Sequence, residues 1–177
     1  MPVFLSQEEV ESKGQEIEKY RGDLFKKEYL SQVKPFPQVR DLFERLRADG
    51  WKIALASSAK GEELKTYKEI AHIDDLLDTE TSSDDAEKSK PHPDIFLAAV
   101  KSLGEVQPPE CVVVGDSPYD AEAAGKAGIL AVAFLCGGFP EDQLRKAGFQ
   151  EVYKDAADLL QRYETSLLYR GRPSATQ

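Results

Sequence analysis

Two carboxylates four residues apart, Asp116 and Asp120, follow directly on the short apolar run Cys111-Val-Val-Val-Gly115. In an open parallel sheet, ligands bind in the crevice at the carboxyl ends of the strands. Acids placed there suit a hard cation such as Mg²⁺, and Gly115 is expected to let the backbone turn sharply. Ser57 and Ser58 follow a second apolar run, Trp51-Lys-Ile-Ala-Leu-Ala56. A hydroxyl at a strand end, beside the amides that open a helix, can hold a phosphoryl oxygen; the plainer alternative is a helix N-cap. Lys90 lies in Lys90-Pro-His-Pro-Asp94, where Pro91 restricts its backbone and its ammonium could neutralise a phosphate. A solvated loop lysine is the alternative, and His92 reads as a loop residue. For Asp116 and Asp120 the alternatives are an N-cap and a first-turn acid favoured by the helix dipole. Those roles leave the whole string of Gly115, Asp116, Ser117, Asp120, Ala124 and Gly128 unexplained.

Elements must bring these groups together, and the hydrophobic pattern supplies them. Helical spacing of Val39, Leu42, Phe43 and Leu46 predicts a helix over Val39–Asp49, stopped by Gly50. Strands are expected at Trp51–Ala56, Cys111–Val114, Ile129–Leu135 and Glu151–Tyr153, with Leu76–Thr79 a short strand or its approach. Helices between them are expected at Gly61–Ile70, Asp94–Leu103, Ala121–Ala127 and Pro140–Ala147, with a closing helix at Ala156–Tyr163. Strands alternating with helices imply parallel βαβ units and a doubly wound sheet, an α/β fold. Ahead of them, Ser6–Tyr29 is rich in Glu and Lys with only a thin apolar stripe, and reads as a solvated helix or helix pair. Val33-Lys-Pro-Phe-Pro-Gln38 reads as a linker. The division expected is 1–33, 34–163 and a flexible tail at 164–177.

With 177 residues, one domain with a small appendage is the default. The net charge of −9 argues against a nucleic-acid partner, since such domains carry a basic patch. It leaves room for a small phosphorylated metabolite, because a local cation can reverse the sign of one cleft. No membrane span or signal peptide is apparent. Cys111 and Cys136 lack metal-ligand spacing and read as reduced thiols of a cytoplasmic protein.

Taken in order, three segments resemble motifs of the haloacid dehalogenase superfamily, in its phosphatase and β-phosphoglucomutase-like branch. The resemblance runs from Pro35 to about Tyr163. Ile53-Ala-Leu-Ala-Ser-Ser58 is similar to the second motif, with Ser57 as the phosphate-binding hydroxyl. Ser89-Lys-Pro-His-Pro-Asp-Ile-Phe96 is similar to the third, with Lys90 as the charge-neutralising lysine. Val113-Val-Gly-Asp-Ser-Pro-Tyr-Asp120 is similar to the fourth, with Asp116 as a Mg²⁺ ligand and Asp120 supporting it. The spacings of 33 residues from Ser57 to Lys90 and 26 from Lys90 to Asp116 also fit. The resemblance implies a three-layer Rossmann-like core, a Mg²⁺-dependent phosphomonoester hydrolase and an aspartyl-phosphate intermediate.

The family's first motif, an apolar strand ending in Asp-x-Asp-x-Thr, has no counterpart, because no two aspartates here lie two positions apart. By the resemblance, that strand is central, between those ending at Ala56 and Val114, and residues 1–33 are the remnant of a helical cap. Without its nucleophile the chain is expected to be inactive alone. The alternative is a non-catalytic pseudoenzyme or phosphate-binding module. An unfilled strand position would favour association, so a homo-oligomer is a further expectation.

Overall fold

The computed structural model describes residues 6–59 and 61–173. Its contacts divide the chain into two units, residues 1–34 and 35–177. The first holds one long helix, α1 (Gln7–Glu28), followed by a short turn at 30–32. Ile17, Tyr20 and Leu24 lie exposed along it, in keeping with the thin stripe expected there.

The second unit alternates helix and strand in chain order. It runs α2 (Val39–Ala48), β1 (Ala54–Ala56), α3 (Gly61–Ala71), β2 (Thr79–Thr81), α4 (Asp94–Ser102), β3 (Val112–Gly115) and α5 (Pro118–Ala127). It continues with β4 (Leu130–Phe134), α6 (Glu141–Ala147), β5 (Glu151–Tyr153), α7 (Ala156–Gln161) and α8 (Leu167–Arg170). Every strand pairing is parallel, so the fold is α/β. The strands form two groups, β1–β2 and β3–β4–β5. Within the first, Ala54 faces Thr79; within the second, Val113 faces Ala131 and Ala133 faces Val152. Among the described residues β1 and β3 do not pair, so each leaves one edge without a ladder partner.

Side-chain alternation along β4 builds the layers. Ala131 and Ala133 enter a core with Ile95 and Phe96 of α4, Ala121 and Ala124 of α5, and Leu144 of α6. Val132, fully buried, points the other way, into a core with Leu42 and Leu46 of α2, Leu159 of α7, and Tyr163. Period-two alternation puts neighbouring residues on opposite faces, so a strand covered on both sides is apolar throughout. Helices therefore cover both faces of the β3–β4–β5 sheet.

The starts of the first two strands have visible reasons. The first strand begins at Ala54 rather than Trp51, because the Ile53 amide donates to the Asp78 carboxylate at 2.7 Å and Trp51 N–H donates to Leu46 O. The second begins at Thr79, so residues 76–78 are its approach, because Asp74–Leu76 closes a 3₁₀ turn. The expected flexible tail also differs: residues 163–170 form a turn and α8, with Ser166 and Leu168 buried. The Trp51 indole donates to Leu168 O at 3.1 Å, and Leu167 N–H donates to Glu151 Oε2 at 2.8 Å. The apolar pair Leu167-Leu168 closes one end of the core there. Residues 174–177 of that expected tail lie outside the described residues. No described helix is long and apolar enough to cross a membrane.

Candidate active site

The polar cluster assembles where β3 gives way to α5. Pro118 occupies the first turn of α5, where its missing N–H costs nothing. Asp120, three residues past Ser117, turns its carboxylate back over the helix start. Its Oδ2 accepts from Ser117 Oγ at 2.7 Å, Ser117 N–H at 3.0 Å and Asp116 N–H at 3.2 Å. Its Oδ1 accepts from Lys90 Nζ at 2.7 Å. Both oxygens are therefore engaged within the protein.

Lys90 reaches this carboxylate from the loop before α4. Only 18% of its side chain is exposed and only 7% of that of Asp120, so the pair is largely withdrawn from water. The ammonium also lies 5.2 Å from the centre of the Phe96 ring, within cation–π range. Lys126 Nζ donates to Pro91 O at 2.8 Å, tying the Lys90 loop to α5. Burial pushes the Asp120 carboxyl upward, but the Lys90 charge and the hydrogen bonds from Lys90 and Ser117 outweigh it and hold it below the ordinary aspartate value.

Asp116 stands differently. It is exposed at the mouth of β3, and Lys90 pairs with its neighbour instead. Partial burial and the adjacent Asp120 charge raise its pKa, against the opposing charge of Lys90. A carboxylate held in an unfavourable field is relieved by a cation. Among the described residues no three His, Cys, Asp or Glu side chains gather into a metal site. Mg²⁺ needs few protein ligands, because it keeps several waters and binds through one or two carboxylates plus substrate phosphates. Asp116 fits one such position, whereas Asp120, with both oxygens engaged, fits a supporting place behind it.

The serines after β1 divide. Ser57 N–H donates to Thr81 O at 3.0 Å, and its Oγ accepts from Ala59 N–H at 3.1 Å, the geometry of a local turn. Ser58 is exposed and borders a recess of about 20 Å³ shared with Lys90, Ser83, Ser89 and Ile95. That volume holds about one water, so a phosphoryl group would sit at its mouth. Lys90, Ser117, Asp116 and Asp120 thus meet directly, Ser58 adjoins Lys90, and Ser57 has no direct bond to any of them. His92 lies in the turn before α4, its N–H donating to Ser89 O.

Sequence reasoning assigned no role to Ser117, although its place three residues before Asp120 is a capping signature. It also misjudged Gly115, whose φ is not in the left-handed region. A Cβ there would lie 2.6 Å from Asp120 Cβ and 2.9 Å from Oδ2, so the position needs glycine for space rather than for a turn. Gly137 does the same against Asp116, and neighbouring Cys136 has its thiol pushed up by burial and by the Asp116 charge.

The family model for haloacid dehalogenase-like hydrolases matches residues 3–134. Phosphoglycolate phosphatase of Aquifex aeolicus is 30% identical over 119 residues, covering 65% of this chain and 55% of that protein. The crystal structure of a hydrolase from Pseudomonas syringae aligns with a TM-score of 0.76 at 28% identity, over 91% of this chain and 72% of that one. A haloacid dehalogenase family hydrolase from Deinococcus radiodurans, solved with bound phosphate and sodium, aligns with a TM-score of 0.69 at 26% identity, over 78% and 63%. The chain spans about half the length of the curated relatives it matches.

Proposed function

Because this chain belongs to the haloacid dehalogenase-like hydrolase family, we propose that its cleft serves phosphomonoester hydrolysis, binding a small phosphorylated metabolite rather than attacking it. The single observation behind this reading is the Lys90–Asp120 pair held 2.7 Å apart beside the exposed Asp116. An ammonium has three N–H donors. One engages Asp120, which leaves donors for a phosphoryl oxygen next to Ser58. Asp116 would hold Mg²⁺, which when bound offsets charge on the phosphoryl oxygens. Asp120 keeps Lys90 in place and leaves Asp116 clear.

The attacking part is not among these residues. Nucleophilic phosphoryl transfer in this family needs a second acidic pair, and no Asp-x-Asp occurs in the 177 residues. Among the described residues the outer edges of β1 and β3 have no ladder partner, with Ser57 and Asp116 just past the strand ends, which supports the reading that a further strand belongs beside them. Such edges also template association, which supports self-association of the chain in solution. The same absence favours a second reading, a module that binds phosphate without turning it over. Both readings require phosphate binding. Calorimetric titration of inorganic phosphate with Mg²⁺ is expected to give saturable binding that weakens at least tenfold in Lys90→Met. Equal binding by both chains, or none by the wild type, overturns both readings.

A further inference from the structure

After β4 the chain closes a 3₁₀ turn, Leu135–Gly137, before α6. The two glycines at its end are there for different reasons. Gly138 adopts φ +80°, a left-handed conformation that L side chains rarely take, and a Cβ on it would meet nothing within 4 Å. Gly137 has no such backbone requirement. A Cβ on it would fall 2.4 Å from the carbonyl oxygen of Asp116 and 2.8 Å from both its Cβ and Cγ. Ordinary van der Waals contact begins near 3.4 Å, so the turn and Asp116 could not keep their places around any side chain.

The atoms it meets belong to an exposed side chain and its backbone, not to either buried core. Close packing there does not bury apolar surface, so core formation does not explain it. What the contact does is limit the space open to the Asp116 carboxylate. Gly115 meets Asp120 in the same way on the neighbouring segment. Each carboxylate of the pair is therefore backed by a glycine whose missing Cβ leaves room for it.

We propose that Gly137 is a positioning residue for Asp116: its bare Cα seats the turn after β4 against that carboxylate and holds it toward the cleft. The inference rests on the reading of Asp116 as a cation ligand. The distances require Asp116 or the turn to move by several tenths of an ångström, or more, in Gly137→Ala. Supporting shells that slip on this scale commonly weaken a site without unfolding the protein.

The test uses the full chain and Mn²⁺ as the probe, another cation suited to carboxylate and water ligands, followed by electron paramagnetic resonance. Crystal structures of wild type and Gly137→Ala report the place of Asp116 directly. Gly125→Ala serves as the control, because a Cβ there meets nothing within 4 Å. The expected result is a native far-ultraviolet spectrum, a displaced Asp116 and Mn²⁺ affinity lowered at least tenfold in Gly137→Ala, with Gly125→Ala unchanged. Added to Asp116→Asn, Gly137→Ala should cause no further loss. Wild-type affinity in Gly137→Ala, an unmoved Asp116, or an unfolded Gly137→Ala chain overturns the positioning role alone. Failure of the wild type to bind Mn²⁺, or unchanged binding in Asp116→Asn, overturns the reading of Asp116 itself.

Discussion

Replacing Lys90 by Met removes one charge from a nearly dry pair and keeps an unbranched side chain of similar length. At 2.7 Å and an effective dielectric of about 20, the gross attraction is about 6 kcal/mol. Much of that is offset by the cost of withdrawing the ammonium from water. Removing one partner of a buried pair typically costs about 3–5 kcal/mol, because the other charge is left uncompensated. Asp120 would keep its three bonds from Ser117 and Asp116, which places the expected loss near the lower end, about 3 kcal/mol. In a domain of this size that lowers the thermal midpoint by about 6–12 °C. Urea denaturation can be followed through Trp51, the single tryptophan, which is half-buried and bonded to Leu168 O.

The pH dependence gives the loss a signature. Asp120 in the folded wild type lies below its unfolded value, so its contribution is fully present above that value, about 3.9, and is lost as pH falls through the folded pKa. Without Lys90 its burial dominates, and the carboxyl takes up a proton at higher pH than in the wild type. The difference between the two proteins should be largest at pH 7 and narrow as pH falls toward 4. A difference below about 1 kcal/mol at pH 7, or one that stays constant with pH, would refute the assignment of a stabilising ion pair.

Two further perturbations follow from the same geometry. Gly115→Ala would press a methyl group onto the Asp120 carboxylate; overpacking of this kind costs about 1–3 kcal/mol. In a crystal structure of that variant the Lys90–Asp120 distance should lengthen beyond hydrogen-bond range, and an unchanged distance would count against the spatial role of Gly115. Leu168→Ala should cost about 2–4 kcal/mol in urea denaturation if residues 167–170 close the core, because its side chain is buried. A loss under 0.5 kcal/mol would restore the flexible tail expected from sequence.

How much of this was legible in the sequence depended on whether the cause was local. Asp116, Asp120 and Lys90 could be singled out because each sits where an apolar run or a proline-stiffened turn delivers it. The order of strands and helices was legible because periodicity is a property of neighbouring residues. The start of β1 was not, since Asp78, 25 positions away, takes the Ile53 amide. The place of Leu168 was masked by Arg170, Gly171, Arg172 and Pro173, polar and turn-forming residues that follow an apolar pair, of which Leu168 is buried and Leu167 partly so against Trp51 and the α2 core. Gly137 left no local signal, because its constraint is a carboxylate 21 positions earlier, brought close only by the parallel pairing of β3 and β4.

On the proposed function, Lys90, Ser58 and Asp116 bind and neutralise a phosphoryl group but do not attack it. Steady-state release of phosphate from a panel of small phosphomonoesters, with Mg²⁺ and the purified 177-residue chain, tests that most directly. No release above a blank containing Asp116→Ala is expected. A robust rate that disappears in Asp116→Ala would contradict it.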